Sequence, residues 1–85
     1  MTNEEIAHRT MVDASDEAAR AQKKYGDFAS MHEAYGVLAE EVAELFDAVR
    51  MGQAHPNRGA RIEAEAIQVA AVALRIAAQA RKVTR

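Results

Sequence analysis

The residues best suited to chemistry in this sequence are carboxylates at helical spacing. Glu41 and Glu44 stand three apart in one segment, and Glu65 and Gln68 stand three apart in a later one. Residues three apart are neighbours on a helix, so each pair presents its oxygens from one side. If the two helices pack antiparallel, three carboxylates and one amide converge. Such hard oxygen donors suit Mg²⁺, with Mn²⁺ as the alternative.

The same acids also fit a structural interpretation. Four acids of the first segment fall within about a 60° sector of an ideal helix, opposite its apolar stripe: Glu33, Glu40, Glu44 and Asp47. That pattern is typical of a solvated face, although the sector has few lysine partners one turn away and includes Val37. Glu65 could equally pair with Arg61, one turn earlier. The spacing alone leaves both interpretations open.

Three helices must position these residues. Hydrophobic periodicity predicts helices over residues 3–24, Met31–Met51 and Ala60–Lys82, and no alternation is long enough for a strand. Gly26 supplies the first turn. Ser30 and Glu33 form the pattern of a capping box at the start of the second helix. Gly52 is the expected C-terminal cap of that helix, followed by a loop to Gly59.

The apolar faces predict the packing of these helices. The second helix has the strongest stripe: Met31, Tyr35, Leu38, Val42, Leu45 and Val49, with Phe46 beside it. The third is apolar almost all round from Ala66 to Leu74, broken only by Gln68, which predicts burial on more than one side. We expect a second chain to cover the extra side. With 20 alanines but only 16 Leu, Ile, Val and Phe among 85 residues, a shared core also favours a homo-oligomer.

Length and composition restrict the class of protein. Eighty-five residues allow one domain, spanning 1–85. The absence of cysteine excludes disulfides and thiolate zinc sites. A net charge of −2 argues against binding to nucleic-acid polymers, and no apolar run approaches the ~20 residues that span a bilayer. The first residues do not have the pattern of a signal peptide, so we expect a cytoplasmic protein.

Two segments in order resemble a known family. The residues EEVAEL at 40–45, followed by EAIQVA at 65–70, resemble the MazG-like all-α nucleoside triphosphate pyrophosphohydrolases. That family has E-x-x-E on one helix and E-x-x-D on the next. The segment KYGDFASMHEAY at 24–35 is similar to the corresponding segment of small, often phage-borne MazG-like proteins. The resemblance covers about residues 23–77.

The resemblance implies a fold and a reaction. MazG-like proteins are helical dimers or tetramers with four-helix-bundle packing, here an antiparallel hairpin plus an N-terminal helix. Their carboxylates hold Mg²⁺, which grips a triphosphate while water attacks the α-phosphorus, giving a nucleoside monophosphate and pyrophosphate. By this resemblance Glu41, Glu44 and Glu65 match ligand positions. Glu41 or Glu44 would also help to deprotonate the water.

One position departs from the family pattern. Gln68 stands where the family has aspartate, and an amide oxygen coordinates a metal without adding charge. Glu40 is the better candidate to compensate, since Glu63 points away from Glu65 on an ideal helix. The expected contacts to substrate are made by Lys24, Glu40 and Arg61.

Two other functions stay open. One is a catalytically silent MazG-like module that serves binding or assembly. The other is an unrelated α-hairpin interaction protein, which would leave the paired acids unexplained.

Overall fold

The computed structural model describes residues 1–83 and is all-α, as the sequence predicts. It contains α1 (Asn3–Tyr25), α2 (Met31–Val49) and α3 (Arg58–Val83), with no strand in the described part of the chain. The predicted helix boundaries are correct to within two residues at each end. No helix within residues 1–83 combines the length and apolar content needed to cross a bilayer.

Side chains cap the beginnings of the first two helices. The Thr2 hydroxyl accepts a hydrogen bond from the Glu5 amide at 3.1 Å, and the Glu5 carboxylate accepts one from the Thr2 amide. This capping box was not predicted. At α2, the Ser30 hydroxyl accepts from the Glu33 amide at 3.0 Å, whereas the reciprocal bond does not form. Gly26 caps α1 with φ 72°, a conformation that favours glycine.

The end of α2 differs from the prediction. The helix stops at Val49, and Arg50, rather than Gly52, occupies the cap position with right-handed backbone angles. The Arg58 side chain explains this difference, because its guanidinium donates to the carbonyls of Val49 at 2.8 Å and Met51 at 3.0 Å. A cation here also complements the negative end of the α2 dipole. α3 begins at Arg58 itself, two residues earlier than predicted.

The three helices form an open arrangement with α3 in the middle. α3 contacts both α1 and α2, whereas α1 and α2 make no close backbone contact with each other within residues 1–83. α2 and α3 run antiparallel, since Ala34 packs near Val72 while Val49 meets Arg58. α1 runs parallel to α3. The expectation that only a second chain could cover the second side of α3 is therefore wrong, because α1 covers it.

The core is small, and α2 faces it with an unexpected side. Phe28, Ala34 and Val72 are buried together, with Val37, Leu38 and Ile76 packed against them. Most of the predicted α2 stripe is exposed instead; its exposed members are Met31, Tyr35, Val42 and Val49, with neighbouring Phe46. The apolar arc of α2 is about 180° wide. α3 takes the half that carries small alanines, Ala34 and Ala48, because they allow close approach of the two helices.

The segment between α1 and α2 is fixed on α3. The backbone N–H of Phe28 donates to the Gln79 side chain at 2.9 Å, and the Phe28 carbonyl accepts from the same amide group at 2.9 Å. Arg75 is buried, with its guanidinium 4.4 Å from the centre of the Phe28 ring, and it donates to the Gly26 carbonyl at 3.0 Å. These contacts set where α2 begins, and therefore where its acids lie along α3.

Candidate metal centre

Three carboxylates from two helices meet on the surface between α2 and α3. Glu41 and Glu44 come from α2 and Glu65 from α3. Each offers an oxygen within 4.8 Å of those of the other two. The convergence follows from the antiparallel packing of α2 on α3, since each helix presents its acids toward the other at the same height. We call these three residues the carboxylate cluster.

The cluster combines partial burial with uncompensated charge. Glu41 and Glu65 are half-buried, whereas Glu44 is exposed. Burial raises the pKa of Glu41 above its ordinary value, and the charges of Glu44 and Glu65 raise that pKa further. A bound cation would offset the repulsion of Glu44 and Glu65 on the carboxylate of Glu41. The electrostatics of the cluster therefore favour a positively charged ligand.

One arginine approaches the cluster from outside. Arg61 lies one turn before Glu65 and its guanidinium is 3.7 Å from a carboxylate oxygen of Glu65. The alternative interpretation of Glu65 as an ion-pair partner is thus present in the structure. Within residues 1–83 this is the one ion pair that the cluster makes. It compensates one of three negative charges, so Glu41 and Glu44 keep theirs unpaired.

Gln68 is engaged by α1. Its side chain hydrogen-bonds to Glu17, which also pairs with Arg20 through two guanidinium contacts. The bond from Arg20 lowers the pKa of Glu17 most, and the bond from Gln68 lowers it further. Gln68 thus has a structural partner on α1. An amide that donates to Glu17 through its nitrogen still has its oxygen to offer.

A cleft between the three helices adjoins the cluster. Its volume is about 420 Å³, within the range of small-molecule sites. Glu41 belongs both to the cluster and to the wall of this cleft. The floor is apolar, formed by Phe28, Val37, Ala71 and Val72. The polar groups around it include Glu17, Arg20 and Gln68, so a ligand could reach from the cleft to the carboxylates.

Of the three residues predicted to contact substrate, one contacts the carboxylate cluster and two lie outside both the cluster and the cleft. Lys24 is exposed, with its ammonium 5.1 Å from the centre of the Tyr25 ring, and does not line the cleft. Arg61 is held by Glu65. Glu40 is exposed on α2, and the structure does not place it in the carboxylate cluster formed by the described residues. Glu63, the other acid considered as a substitute for the missing aspartate, is also exposed and outside that cluster.

The donor set fits Mg²⁺. Carboxylate oxygens are its preferred protein ligands, and Mg²⁺ keeps several waters while one or two carboxylates and a phosphate complete its shell. Glu44 is exposed, so the cluster is open to solvent on one side, as a partly hydrated ion requires. Mn²⁺ accepts the same ligands. The cluster contains no histidine or cysteine, which argues against a site selective for zinc or copper.

Sequence reasoning missed the contribution of α1. Glu17 and Arg20 line the cleft, yet they were not singled out, because their helix has only a weak apolar stripe and no motif. The available signal was the i, i+3 pairing of opposite charges, which is common on solvated faces. Only the parallel packing of α1 on α3 shows that this pair lies beside Gln68.

No match to this chain was found among protein-family models, curated proteins or solved structures. The resemblance to MazG-like proteins therefore rests on the motifs of the sequence. The geometry of the cluster is an observation independent of that resemblance.

Proposed function

We propose that this protein is a Mg²⁺-dependent nucleoside triphosphate pyrophosphohydrolase of MazG-like type, acting on ribo- or deoxyribonucleotides. The observation that carries the proposal is the meeting of Glu41, Glu44 and Glu65 within 4.8 Å at the edge of a cleft. The order and spacing of the two acidic motifs support it. Under this proposal the substrate pool is cytoplasmic, and so is the protein.

The three carboxylates would hold the metal. When bound, Mg²⁺ would offset the negative charge that develops on the phosphate oxygens. The carboxylates would hold it between α2 and α3, two regular elements whose relative height is fixed by the contacts of Phe28 and Arg75. A site on such elements is held more firmly than one on a loop. Mn²⁺ is expected to substitute.

Glu41 and Glu44 are the candidates for proton acceptance from the attacking water. Glu41 is the better placed of the two, since it lies half-buried in the wall of the cleft. A Glu41 oxygen that does not contact the metal would act as the general base for a water in the cleft. Attack at the α-phosphorus would yield a nucleoside monophosphate and pyrophosphate.

The cleft would receive the nucleoside, and the chain would assemble as a homodimer or homotetramer. An apolar floor beside Phe28 suits the face of a base, and Gln68 or Arg20 offers hydrogen bonds to its edge.

Assembly into a homo-oligomer is supported by the weak core of the single chain, because no large side chain among the described residues is fully buried. A bundle-type oligomer would bury the large apolar side chains that a single chain leaves exposed.

A silent helical module is the second candidate, and Gln68 is the observation that favours it. It brings no charge and is bonded to Glu17. Such a module would keep the fold and the oligomer but bind no metal tightly.

Release of pyrophosphate from a panel of ribo- and deoxyribonucleoside triphosphates tests both candidates. The assay would compare the natural chain with Glu44→Gln and with Glu63→Gln, an exposed acid outside the cluster. We expect metal-dependent release from the natural chain and from Glu63→Gln, and loss of release in Glu44→Gln. A folded natural chain that releases nothing across the panel with either metal would refute the hydrolase and leave the silent module.

A further inference from the structure

The chain exposes more surface than a protein of its size should. Its accessible area is 6340 Å², whereas a folded monomer of 9.3 kDa exposes about 5,000 Å². The radius of gyration, 14.4 Å, also exceeds the ~12 Å expected for 85 residues. The excess of about 1,300 Å² is larger than the ~800 Å² that each partner buries in a standard protein interface. One chain therefore has enough uncovered area for a stable association.

The outer side of α2 exposes a row of large apolar side chains. We call it the α2 seam, and define it as the predicted stripe: Met31, Tyr35, Leu38, Val42, Leu45 and Val49. Tyr35 is 70% exposed and Val42 47% exposed, and neighbouring Phe46 is 57% exposed. Leu38 and Leu45 are partly covered at the edge that meets α3. Isolated exposed apolar residues are normal, but a full-length stripe marks an interface.

The spacing of the seam matches a second copy of itself. Its members are separated by 4, 3, 4, 3 and 4 residues, the a/d pattern of a coiled-coil seam. This pattern is symmetric about residue 40. In an antiparallel pair, Met31 therefore lies opposite Val49 of the second copy, and Leu38 lies opposite Val42. A two-fold pair brings apolar residues together along its whole length, with no register shift.

The distribution of charge permits this pairing. Four of the five acids of α2 lie on the side opposite the seam, and the fifth, Glu41, lies on the flank that meets α3. Between the two sides, the outer edge of the seam carries the small residue Ala39. Two copies can therefore approach closely without bringing carboxylates together, and the carboxylate cluster stays open to its ligand.

We infer that a second copy of this chain packs on the α2 seam, α2 against α2, antiparallel about a two-fold axis near residue 40. The pair and the α3 helices behind it make a four-helix core. The α2 seam is then the surface through which the proposed homo-oligomer forms. This pairing does not depend on hydrolase activity, because none of the seam residues belongs to the carboxylate cluster.

The molar mass of the protein in solution, measured by light scattering on a size-exclusion column, tests whether the α2 seam is the interface. The variants are Val42→Glu, in the seam, and Ala43→Glu, the same substitution one residue along and outside it. We expect an even number of chains for the natural protein and for Ala43→Glu, and at least a twofold lower mass for Val42→Glu. A monomeric natural chain, or equal masses for the two variants, would overturn the inference.

Disulfide cross-linking tests the orientation even if Val42→Glu fails to fold. The chain has no cysteine, so introduced thiols report only on each other. Leu38→Cys and Val42→Cys proteins would be mixed and oxidised, and each would also be oxidised alone. We expect the mixed pair to exceed either self-pair several-fold. Self-pairs that form at least as efficiently as the mixed pair, or no cross-link in any sample, would contradict antiparallel α2 pairing.

Discussion

Replacing Glu41 by glutamine should stabilise the metal-free protein while removing its response to metal. The oxygens of the three cluster carboxylates lie within 4.8 Å of one another. Two unit charges at that separation repel by about 0.9 kcal/mol in water and by about 3.5 kcal/mol at the effective dielectric constant of a protein surface. Glu41 takes part in two such pairs, but Arg61 compensates the charge of Glu65, which leaves the full repulsion to the pair of Glu41 and Glu44. The water value applies best because Glu44 is exposed, so the substitution should relieve about 1 kcal/mol.

This energy is large enough to measure by thermal unfolding. For a domain of this size, each 1 kcal/mol shifts Tm by about 4–8 °C, so Glu41→Gln should melt by roughly that amount above the natural chain in a chelator. At about 100 times its Kd, Mg²⁺ should stabilise the natural chain by about 2.7 kcal/mol. Mg²⁺ should stabilise the Glu41→Gln variant only a little, because this variant has lost one of the three cluster carboxylates.

Circular dichroism melts at one fixed protein concentration would measure both effects. Glu63→Gln is the matched control, since it removes an exposed acid of α3 outside the cluster. It should melt close to the natural chain under both conditions. The reasoning is refuted if Glu41→Gln melts no higher than the natural chain in chelator, or if Mg²⁺ raises both melting temperatures equally.

Three further predictions concern single residues. Gln68→Asp should tighten Mg²⁺ binding about tenfold by adding a carboxylate beside the cluster, measured by calorimetric titration; unchanged affinity would contradict this. Arg75→Met should lower Tm by about 10 °C, because it removes part-buried hydrogen bonds to Gln22 and the Gly26 carbonyl worth about 2 kcal/mol; an unchanged melt would be inconsistent with that role. Bonds from Lys82 and Gln22 lower the pKa of Asp27 below 3.8, so its stabilising contribution is complete above that pH and is lost as the pH falls further, through the lowered pKa. Asp27→Asn should therefore lower Tm at pH 7, and the difference should shrink below pH 3.8 and vanish once the pH is below the lowered pKa, whereas a difference that persists would count against it.

The helices could be predicted because their signals are local. Ser30 and Gly26 mark a beginning and an end through bonds to their own neighbours. The end of α2 could not be predicted in the same way, since Arg58 reaches it from the next helix. Gly52 had the right type for a cap, but a tertiary contact set the boundary instead.

The side on which α2 packs could not be predicted from its stripe. Periodicity finds the middle of an apolar arc but does not say which half meets which neighbour. The small residues Ala34 and Ala48 decided the packing on α3, and they carry little weight in a hydrophobic pattern. The bulkier residues of the arc were left outside. In the same way, the apolar circumference of α3 indicated two neighbours correctly, but one of them is α1 of the same chain.

The approach of Glu41, Glu44 and Glu65 could be predicted because it needs only i, i+3 spacing and an antiparallel hairpin. The surroundings of Gln68 could not be predicted. Its partner Glu17 lies 51 positions earlier in the chain, on a helix whose packing no motif indicated.

Hydrolysis of a nucleoside triphosphate in ¹⁸O-enriched water, followed by ³¹P NMR, tests the central claim most directly. The reaction would contain the natural chain with Mg²⁺. Attack at the α-phosphorus predicts a nucleoside monophosphate that carries the heavy oxygen, together with unlabelled pyrophosphate. Intact triphosphate after incubation with the folded protein and metal would contradict the claim, as would label in the pyrophosphate or formation of a nucleoside diphosphate.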